Sequence, residues 1–177
     1  MNRTYFFKRI RNAVFGGRLT QEQVDGITKI LDYRASNYPK MTDNQLAYLL
    51  ATVTWETGFK MKPVREGGGE KYLRSKPYYP WVGEGLVQVT WLKNAKKYGA
   101  KKPGDLMGWP IALKAAFDGM TKGTFTSKKL SDYINDKKCD FVNARRIING
   151  MDKAKLIAGF AREYQEAFKQ AKQPVAV

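Results

Sequence analysis

Glu56 and Glu66 are the two residues of this chain whose surroundings best suit acid–base chemistry. Glu56 follows Trp55 at the end of an apolar segment, whereas Glu66 follows Arg65 and precedes a run of glycines. Apolar surroundings favour a protonated carboxyl, and a solvated loop beside a guanidinium favours the ionised form. Hydrolysis of a glycosidic bond uses both forms, one at the leaving oxygen and one that activates water or attacks. The pair predicts glycoside hydrolysis. Ordinary surface charges are the alternative, and Glu70 competes with Glu66 for the second role.

Aromatic and hydrogen-bonding side chains are concentrated between residues 78 and 94. Three of them have flat apolar faces on which pyranose rings can stack: Tyr78, Tyr79 and Trp81. Three more could bind sugar hydroxyls, N-acetyl groups or a water: Gln88, Thr90 and Asn94. The alternative is that the rings belong to the core and that the polar groups cap local backbone. We expect a sugar-binding groove here, with Tyr79 among the residues that contact substrate.

The chain contains no histidine and a single cysteine, Cys139. A Ser-His-Asp triad, a Cys–His pair and the usual histidine-bearing zinc sites are therefore excluded. One cysteine cannot form an intramolecular disulfide, which fits synthesis in a reducing compartment. Carboxylates are then the expected acid–base groups of any hydrolase activity, and we expect no cofactor.

Basic residues outnumber acidic residues two to one, with 32 Lys and Arg against 16 Asp and Glu and a net charge of +16. Such an excess attracts polyanions over long distances. Nucleic acid is one candidate, and bacterial envelope polymers, which carry carboxylates and phosphates, are another. The basic residues are spread along the whole chain, so charge alone does not identify the partner.

Capping motifs and apolar spacings predict a mainly α chain that forms one domain over residues 1–177. Thr20 and Thr42 are each followed three residues later by glutamine, which predicts a capping box and a helix at both places. The second helix has apolar residues at three- and four-residue spacings up to Gly58, which stands where a C-terminal cap would be. Glu56 is therefore expected in the last turn of a core helix.

The remaining helices are predicted from amphipathic patterns, over about residues 3–15, 91–98, 111–120 and 152–172. The last of these is the clearest, with four apolar residues at strict four-residue spacing: Leu156, Phe160, Tyr164 and Phe168. One more helix, capped by Thr126 or Ser127, is expected to contain Leu130, Tyr133 and Ile134. Residues 60–85 include three consecutive glycines and predict a loop with short strands beside the groove.

Short motifs follow one another along the chain: Phe15-Gly16-Gly17, Trp55-Glu56-Thr57, Pro63-Val64-Arg65-Glu66, Tyr79 to Gly85, Val87-Gln88-Val89-Thr90-Trp91, Asn94, and Arg145-Arg146-Ile147-Ile148-Asn149-Gly150. Their order resembles family 19 glycoside hydrolases, and most closely the phage endolysins of that chitinase-like family. The family pattern is His-Glu-Thr, a second acid in a loop, Gly-Arg-Gly-x-x-Gln-x-Thr/Ser with a later Asn, and Arg-x-Ile-Asn-Gly. The resemblance spans nearly the whole chain.

The resemblance implies a lysozyme-like helical fold and inverting cleavage of a β-1,4 bond in an N-acetylated glycan. It implies that Glu56 is the general acid, that Glu66 helps to activate water and that Thr90 orients this water. It also implies a groove lined by Gln88, Asn94, Asn143, Arg146 and Asn149. In an inverting site the two carboxyl groups are expected roughly 6.5–9.5 Å apart.

Two residues depart from the family pattern. Trp55 replaces the histidine before the first glutamate, which indicates packing or binding rather than proton transfer at this position. Glu84 replaces the arginine of Gly-Arg-Gly, so the charge beside the groove is reversed. Glu84 could alter substrate preference, pair with a local lysine or damage activity.

The residues and the resemblance together favour a muramidase-type endolysin that hydrolyses the glycan backbone of bacterial peptidoglycan for host cell lysis. The alternatives are a chitinase and a catalytically inactive protein that binds glycan or nucleic acid, although no specific nucleic-acid motif is present.

No signal peptide or transmembrane segment is predicted. We therefore expect a protein that is made in the host cytoplasm and released by a holin to the periplasm and cell wall, and we expect it to be a monomer. The lack of a separate wall-binding module favours a Gram-negative host. Contact of a basic terminal helix with outer-membrane lipopolysaccharide is a further hypothesis, with a plain packing helix as its alternative.

Overall fold

The computed structural model describes residues 1–172 and is mainly α-helical, as the sequence predicts. Within that range eight α-helices span Arg3–Ala13 (α1), Gln21–Asn37 (α2), Asp43–Glu56 (α3), Gly69–Arg74 (α4), Leu92–Lys97 (α5), Trp109–Lys122 (α6), Leu130–Tyr133 (α7) and Ala154–Gln170 (α8). Two strands, Val64–Arg65 (β1) and Glu84–Gly85 (β2), form a small sheet, and 3-10 turns span Asp105–Met107 and Asn143–Ile147. None of the helices in the described range combines the length and the apolar composition that crossing a membrane requires.

Helix α3 lies in the core and begins with a capping box. Thr42 Oγ1 accepts a hydrogen bond from the backbone N–H of Gln45, and Gln45 Oε1 accepts one from the backbone N–H of Thr42, both at 3.2 Å. Residues 46–54 are all buried, so the helix has no solvent face over this length. Gly58, with a φ of +55°, lies just beyond its end, where left-handed backbone suits glycine. The prediction that Glu56 occupies the last turn of a core helix is confirmed.

Helix α8 packs against α3 and α1. Phe6 of α1 contacts the rings of Tyr164 and Phe168, with ring centroids 6.3 and 4.8 Å away. Thr54 Oγ1 and the Tyr164 hydroxyl are 2.9 Å apart and share a hydrogen bond inside the core. Leu156, by contrast, is exposed. A four-residue step turns a helix by about 40° beyond a full turn, so the strict spacing moves progressively away from the core.

The small sheet lies between α3 and α5 in the sequence. Val64 pairs with Gly85 and Arg65 pairs with Glu84 in an antiparallel register. A tight turn then returns the chain, so that Val89 bridges to Glu84 through two backbone hydrogen bonds of 2.9 and 3.2 Å. The prediction of a small β region is confirmed, and its role is to hold the segment before α5 against the loop after α3.

Helix α4 is the element that the sequence pattern missed. The glycine run predicted irregular backbone, but α4 begins at Gly69 and continues to Arg74. Gly68 takes a left-handed conformation, with a φ of +109°, immediately before the first turn. The residues that follow are ordinary helix formers, so the glycines shape the entry to the helix rather than preventing it.

Candidate functional site

A polar cavity of about 420 Å³ opens where the end of α3 faces the segment before α5 and the 3-10 turn that precedes α8. It is lined by Glu56, Tyr78, Val87, Gln88, Val89, Thr90, Asn94, Phe125, Ile148 and Asn149. Five predicted site residues from three separate parts of the chain therefore surround one cavity: Glu56, Gln88, Thr90, Asn94 and Asn149.

Glu56 is held in the cavity by an ion pair with Arg145. Arg145 Nη1 lies 2.7 Å from Glu56 Oε1, and the two side chains are 4% and 15% exposed. Arg145 Nε also donates to the carbonyl oxygen of Asp152 at 3.0 Å, which fixes the plane of the guanidinium. Glu56 Oε2 has no hydrogen-bond donor among residues 1–172. One carboxylate oxygen is therefore anchored and the other is available to a ligand.

Glu66 lies behind the cavity wall and is connected to it by Tyr78. The Tyr78 hydroxyl donates to Glu66 Oε1 at 2.8 Å, and the backbone N–H of Gly83 donates to Oε2 at 2.9 Å. Burial, the hydrogen bond to Glu66 and the charge of Glu66 raise the pKa of Tyr78 to about 12. The hydroxyl therefore stays protonated near neutral pH and remains a donor. Glu66 itself does not line the cavity.

Glu70, the rival for the second acidic role, lies on exposed α4 away from the cavity. The Tyr79 hydroxyl donates to Glu70 Oε1 at 2.8 Å and, together with the charges of Arg65 and Arg74, lowers the pKa of Glu70. Tyr79, which the sequence placed among the substrate contacts, is occupied by this bond and does not line the cavity. Its neighbour Tyr78 does. The geometry thus favours Glu66 over Glu70.

The segment that carries Gln88 and Thr90 has an unusual backbone. Gln88 and Trp91 have φ values of +54° and +71°, and a left-handed conformation costs a non-glycine residue on the order of 1 kcal/mol. Gln88 Nε2 donates to the carbonyl oxygen of Val64 at 2.9 Å, and Asn94 Nδ2 donates to that of Thr90 at 3.1 Å. The amide nitrogens are engaged, so the amide oxygens are the groups that these two side chains can still offer, as acceptors.

Glycine at position 83 lets two of these polar side chains approach the backbone. A Cβ atom at Gly83 would lie 2.9 Å from Gln88 Oε1 and 3.3 Å from Glu66 Oε2. Both distances are shorter than an ordinary carbon–oxygen contact, so a side chain here would displace the amide or the carboxylate. Glycine at position 83 thus allows these two side chains to keep the positions that they have in the site.

The 3-10 turn Asn143–Ile147 contributes unevenly to the cavity. Asn149, just after it, lines the cavity. Asn143 instead binds Asp140, through its backbone N–H at 2.9 Å and its Nδ2 at 2.8 Å, and these bonds lower the pKa of Asp140. Arg146 is exposed, with its Nε 3.4 Å from Asn143 Oδ1. Of the three residues predicted here, only Asn149 contacts the cavity directly.

Arg145 is the functional residue that the sequence interpretation missed. Its neighbour Arg146 was selected from the motif, yet Arg145 is the one that turns inward to Glu56. A 3-10 turn repeats every three residues. Arg145 therefore shares a face with Val142 and Ile148, which are apolar, whereas Arg146 shares one with two asparagines. This three-residue repeat could have identified Arg145 as the inward residue, but only if the 3-10 turn had been predicted first.

Glu84, the charge reversal in the glycine segment, points away from the cavity and is 4% exposed. Its Oε2 accepts a hydrogen bond from the backbone N–H of Gly104 at 2.9 Å. Burial raises the pKa of Glu84, while the Gly104 N–H and the charge of Arg65 oppose that shift. The Glu84 side chain therefore ties β2 to the loop before the 3-10 turn Asp105–Met107, while its backbone bonds to Val89 of the cavity lining.

The cavity combines an anchored carboxylate with amide, hydroxyl and aromatic groups. This set suits a polyhydroxylated ligand with N-acetyl groups, because sugars offer both donors and acceptors as well as flat apolar ring faces. Comparison with protein-family models, with curated proteins and with solved structures finds no match to this chain. Its function is therefore inferred from the residues around the cavity.

Proposed function

We propose that this protein is a glycoside hydrolase that cleaves the β-1,4 glycan backbone of bacterial peptidoglycan, as an endolysin of the family 19 type with a lysozyme-like arrangement. The observation that carries the proposal is the position of Glu56. It ends a rigid buried helix and opens into the same cavity as Gln88, Thr90, Asn94 and Asn149. A metal-free hydrolysis by carboxylates needs such a positioned acid beside groups that bind the sugar.

In this mechanism the protonated Glu56 carboxyl donates its proton to the glycosidic oxygen as the bond to the anomeric carbon breaks. A water molecule oriented by Thr90 attacks the anomeric carbon from the opposite face. It gives its proton to the Tyr78 hydroxyl, which lines the cavity, as that hydroxyl passes its own proton to Glu66. Glu56 ends the step as a carboxylate, which is the form that the Arg145 guanidinium stabilises. Arg145 therefore assists proton release. Exchange with solvent then returns a proton to Glu56 and removes the one taken up by Glu66, which resets the site for the next cycle.

Glu66 fits the second role through its two hydrogen bonds. The donors Tyr78 and Gly83 stabilise a carboxylate, which a general base must be before the reaction. The assignment of Glu56 as acid and Glu66 as base rests on position, because Glu56 lines the cavity and Glu66 is connected to it by Tyr78. An inverting outcome is expected, so hydrolysis should release the α-anomer first from a β-linked glycan.

The decisive experiment is mass spectrometry of purified peptidoglycan digested by the wild type, by Glu56→Gln and by Glu66→Gln. We expect muropeptides with a reducing N-acetylmuramic acid from the wild type and a loss of at least about 100-fold in rate for Glu56→Gln. Undiminished cleavage by Glu56→Gln would overturn the mechanism. Anhydro ends would indicate a lytic transglycosylase, and release of sugar from chitin without cleavage of peptidoglycan would indicate a chitinase.

The same proposal places the protein at the cell wall after holin-mediated release from the host cytoplasm. The net charge of +16 supports an anionic envelope as the surface on which it acts. A catalytically inactive glycan-binding or nucleic-acid-binding protein is the alternative. Binding of DNA that weakens with salt, without any lytic activity, would favour that alternative.

A further inference from the structure

A group of unpaired lysines surrounds helix α5. Five exposed lysines lie within ten residues, and we call them the lysine surface: Lys93, Lys96, Lys97, Lys101 and Lys102. No acidic residue occurs between Glu84 and Asp105. Within residues 1–172 every lysine that forms a salt bridge lies outside this group. Lys114 and Lys122, for example, both pair with Asp118. Asp105 offsets part of this charge through its interaction with Lys101 and Lys102, and five lysines against this one carboxylate leave the lysine surface with an excess of positive charge.

The lysine surface borders the candidate catalytic cavity. Lys93 immediately precedes Asn94, which lines the cavity. Lys97 Nζ donates to the carbonyl oxygen of Thr124 at 3.1 Å, next to Phe125, which also lines the cavity. A ligand chain that leaves the cavity on the α5 side would therefore come near Lys93 and Lys97 first.

Two exposed apolar side chains precede the lysines at the start of α5. Trp91 and Leu92, at the start of α5, are 47% and 40% exposed. The Trp91 ring meets the Tyr78 ring edge to face, with centroids 5.6 Å apart. A flat exposed ring beside cations fits a sugar that carries an acidic substituent better than it fits a neutral sugar, because both the ring face and the charge find a partner.

We infer that the lysine surface binds carboxylates carried by the glycan strand whose sugars occupy the cavity, so that the protein selects an acidic over a neutral amino-sugar polymer. This inference rests on the proposed function and names its substrate class. The lysine ammonium groups lie in solvent, so their attraction to carboxylates is long-range and weakens as salt screens it. The cavity recognises the sugar backbone, and the lysine surface recognises the charge on its substituents.

The test is a binding measurement by calorimetry in the Glu56→Gln background, which removes turnover. The probes are a peptidoglycan tetrasaccharide with free carboxylates and the same tetrasaccharide with its carboxyl groups converted to amides. The test variant adds Lys93→Gln, Lys96→Gln and Lys101→Gln. The control variant adds Lys8→Gln, Lys60→Gln and Lys137→Gln, which remove the same charge from exposed lysines elsewhere.

We expect the test variant to bind the carboxylate probe about tenfold more weakly at low salt and the amide probe within about twofold of the parent. The control variant should bind both probes like the parent. Equal weakening for both probes, or no weakening for either, would overturn the inference. The inference would also fail if the test variant lost binding to DNA or to anionic vesicles but still bound both tetrasaccharides like the parent.

Failure of the inference is distinguishable from failure of the proposed function. If the wild type cleaves peptidoglycan and Glu56→Gln does not, the proposed function stands whatever the lysine substitutions do. If the parent binds neither probe and the wild type does not cleave, both fail. The two results come from separate measurements, one of bond cleavage and one of binding to a matched pair of probes.

Discussion

Arg145 Nη1 and Glu56 Oε1 are 2.7 Å apart although 89 positions separate the residues in the sequence. The pair joins the C-terminal end of α3 to the 3-10 turn that leads to Asn149, so one contact fixes the proposed acid relative to the opposite wall of the cavity. Arg145 is 4% exposed, and a buried guanidinium is strongly destabilising without a counter-charge. Glu56 is therefore expected to contribute to stability as well as to catalysis.

The first prediction concerns that double role. Glu56→Gln should lower the free energy of unfolding by about 3 kcal/mol, because it leaves the Arg145 charge without its partner. Addition of Arg145→Met should recover part of the loss, since no unpaired charge then remains. Urea unfolding followed by circular dichroism measures both effects. Glu70→Gln, at an exposed carboxylate, is the control and should leave the urea midpoint unchanged. Equal midpoints for the wild type and Glu56→Gln would contradict a structural role of the pair.

The second prediction separates Glu66 from Glu70 by the tyrosine that binds each. Tyr78→Phe removes the 2.8 Å hydrogen bond to Glu66, and Tyr79→Phe removes the equivalent 2.8 Å bond to Glu70. A hydrogen bond to a charged group contributes about 1.5–3 kcal/mol. We expect Tyr78→Phe to lower kcat on peptidoglycan on the order of tenfold or more, with KM little changed, because the ring stays in the cavity. Tyr79→Phe should retain wild-type kcat, and the reverse result would assign the second role to Glu70.

The local parts of the fold could be predicted because their causes are close together in the sequence. The glutamines that follow Thr20 and Thr42 complete capping boxes that the structure contains. The apolar spacing between Thr42 and Gly58 then required a buried helix, and the last turn of that helix had to contain Glu56. Each of these conclusions needs only interactions between residues up to four positions apart.

The parts that could not be predicted depend on contacts between distant segments. The inward turn of Arg145 requires the 3-10 turn and the end of α3 to meet. The choice of Tyr78 rather than Tyr79 for the cavity depends on how the chain passes between α4 and β2, because the two rings are adjacent in sequence and chemically alike. Leu156 is exposed because the four-residue spacing drifts around α8, and which part of that stripe is buried depends on how α8 packs against α3. No local pattern encodes these relationships.

The third prediction concerns the pH dependence of stability at Glu84. Burial raises its pKa in the folded state above the usual 4.5, so the folded protein holds this proton more tightly than the unfolded chain does. Stabilisation by the protonated form is fully present below pH 4.5 and is lost as the pH rises through the folded-state pKa. Glu84→Gln keeps an acceptor for the Gly104 N–H but does not titrate.

The unfolding free energy of the wild type relative to Glu84→Gln should therefore decrease as the pH rises from about 4.5 to 7. Urea unfolding of both proteins at several pH values gives this difference directly, and other titrating groups cancel because both proteins share them. Catalytic activity should change little in Glu84→Gln, since Glu84 does not line the cavity. A difference that stays constant with pH would contradict the assignment of a raised pKa to Glu84.

The fourth prediction uses two buried tyrosines whose hydroxyl groups have different neighbours, Thr54 for Tyr164 and the Thr52, Arg145 and Glu56 side chains for Tyr48. The Tyr48 hydroxyl is buried and has no hydrogen-bond partner among residues 1–172, whereas the Tyr164 hydroxyl bonds to Thr54 Oγ1 at 2.9 Å. An unsatisfied buried hydroxyl carries a desolvation cost that a bonded one does not. Tyr48→Phe should thus raise the free energy of unfolding by about 1 kcal/mol, and Tyr164→Phe should lower it by about 1 kcal/mol. Each variant loses one buried hydroxyl oxygen. Thermal unfolding measures the change in Tm, and we expect changes of opposite sign for the two variants. Shifts of the same sign would show that the Tyr48 hydroxyl is satisfied in solution.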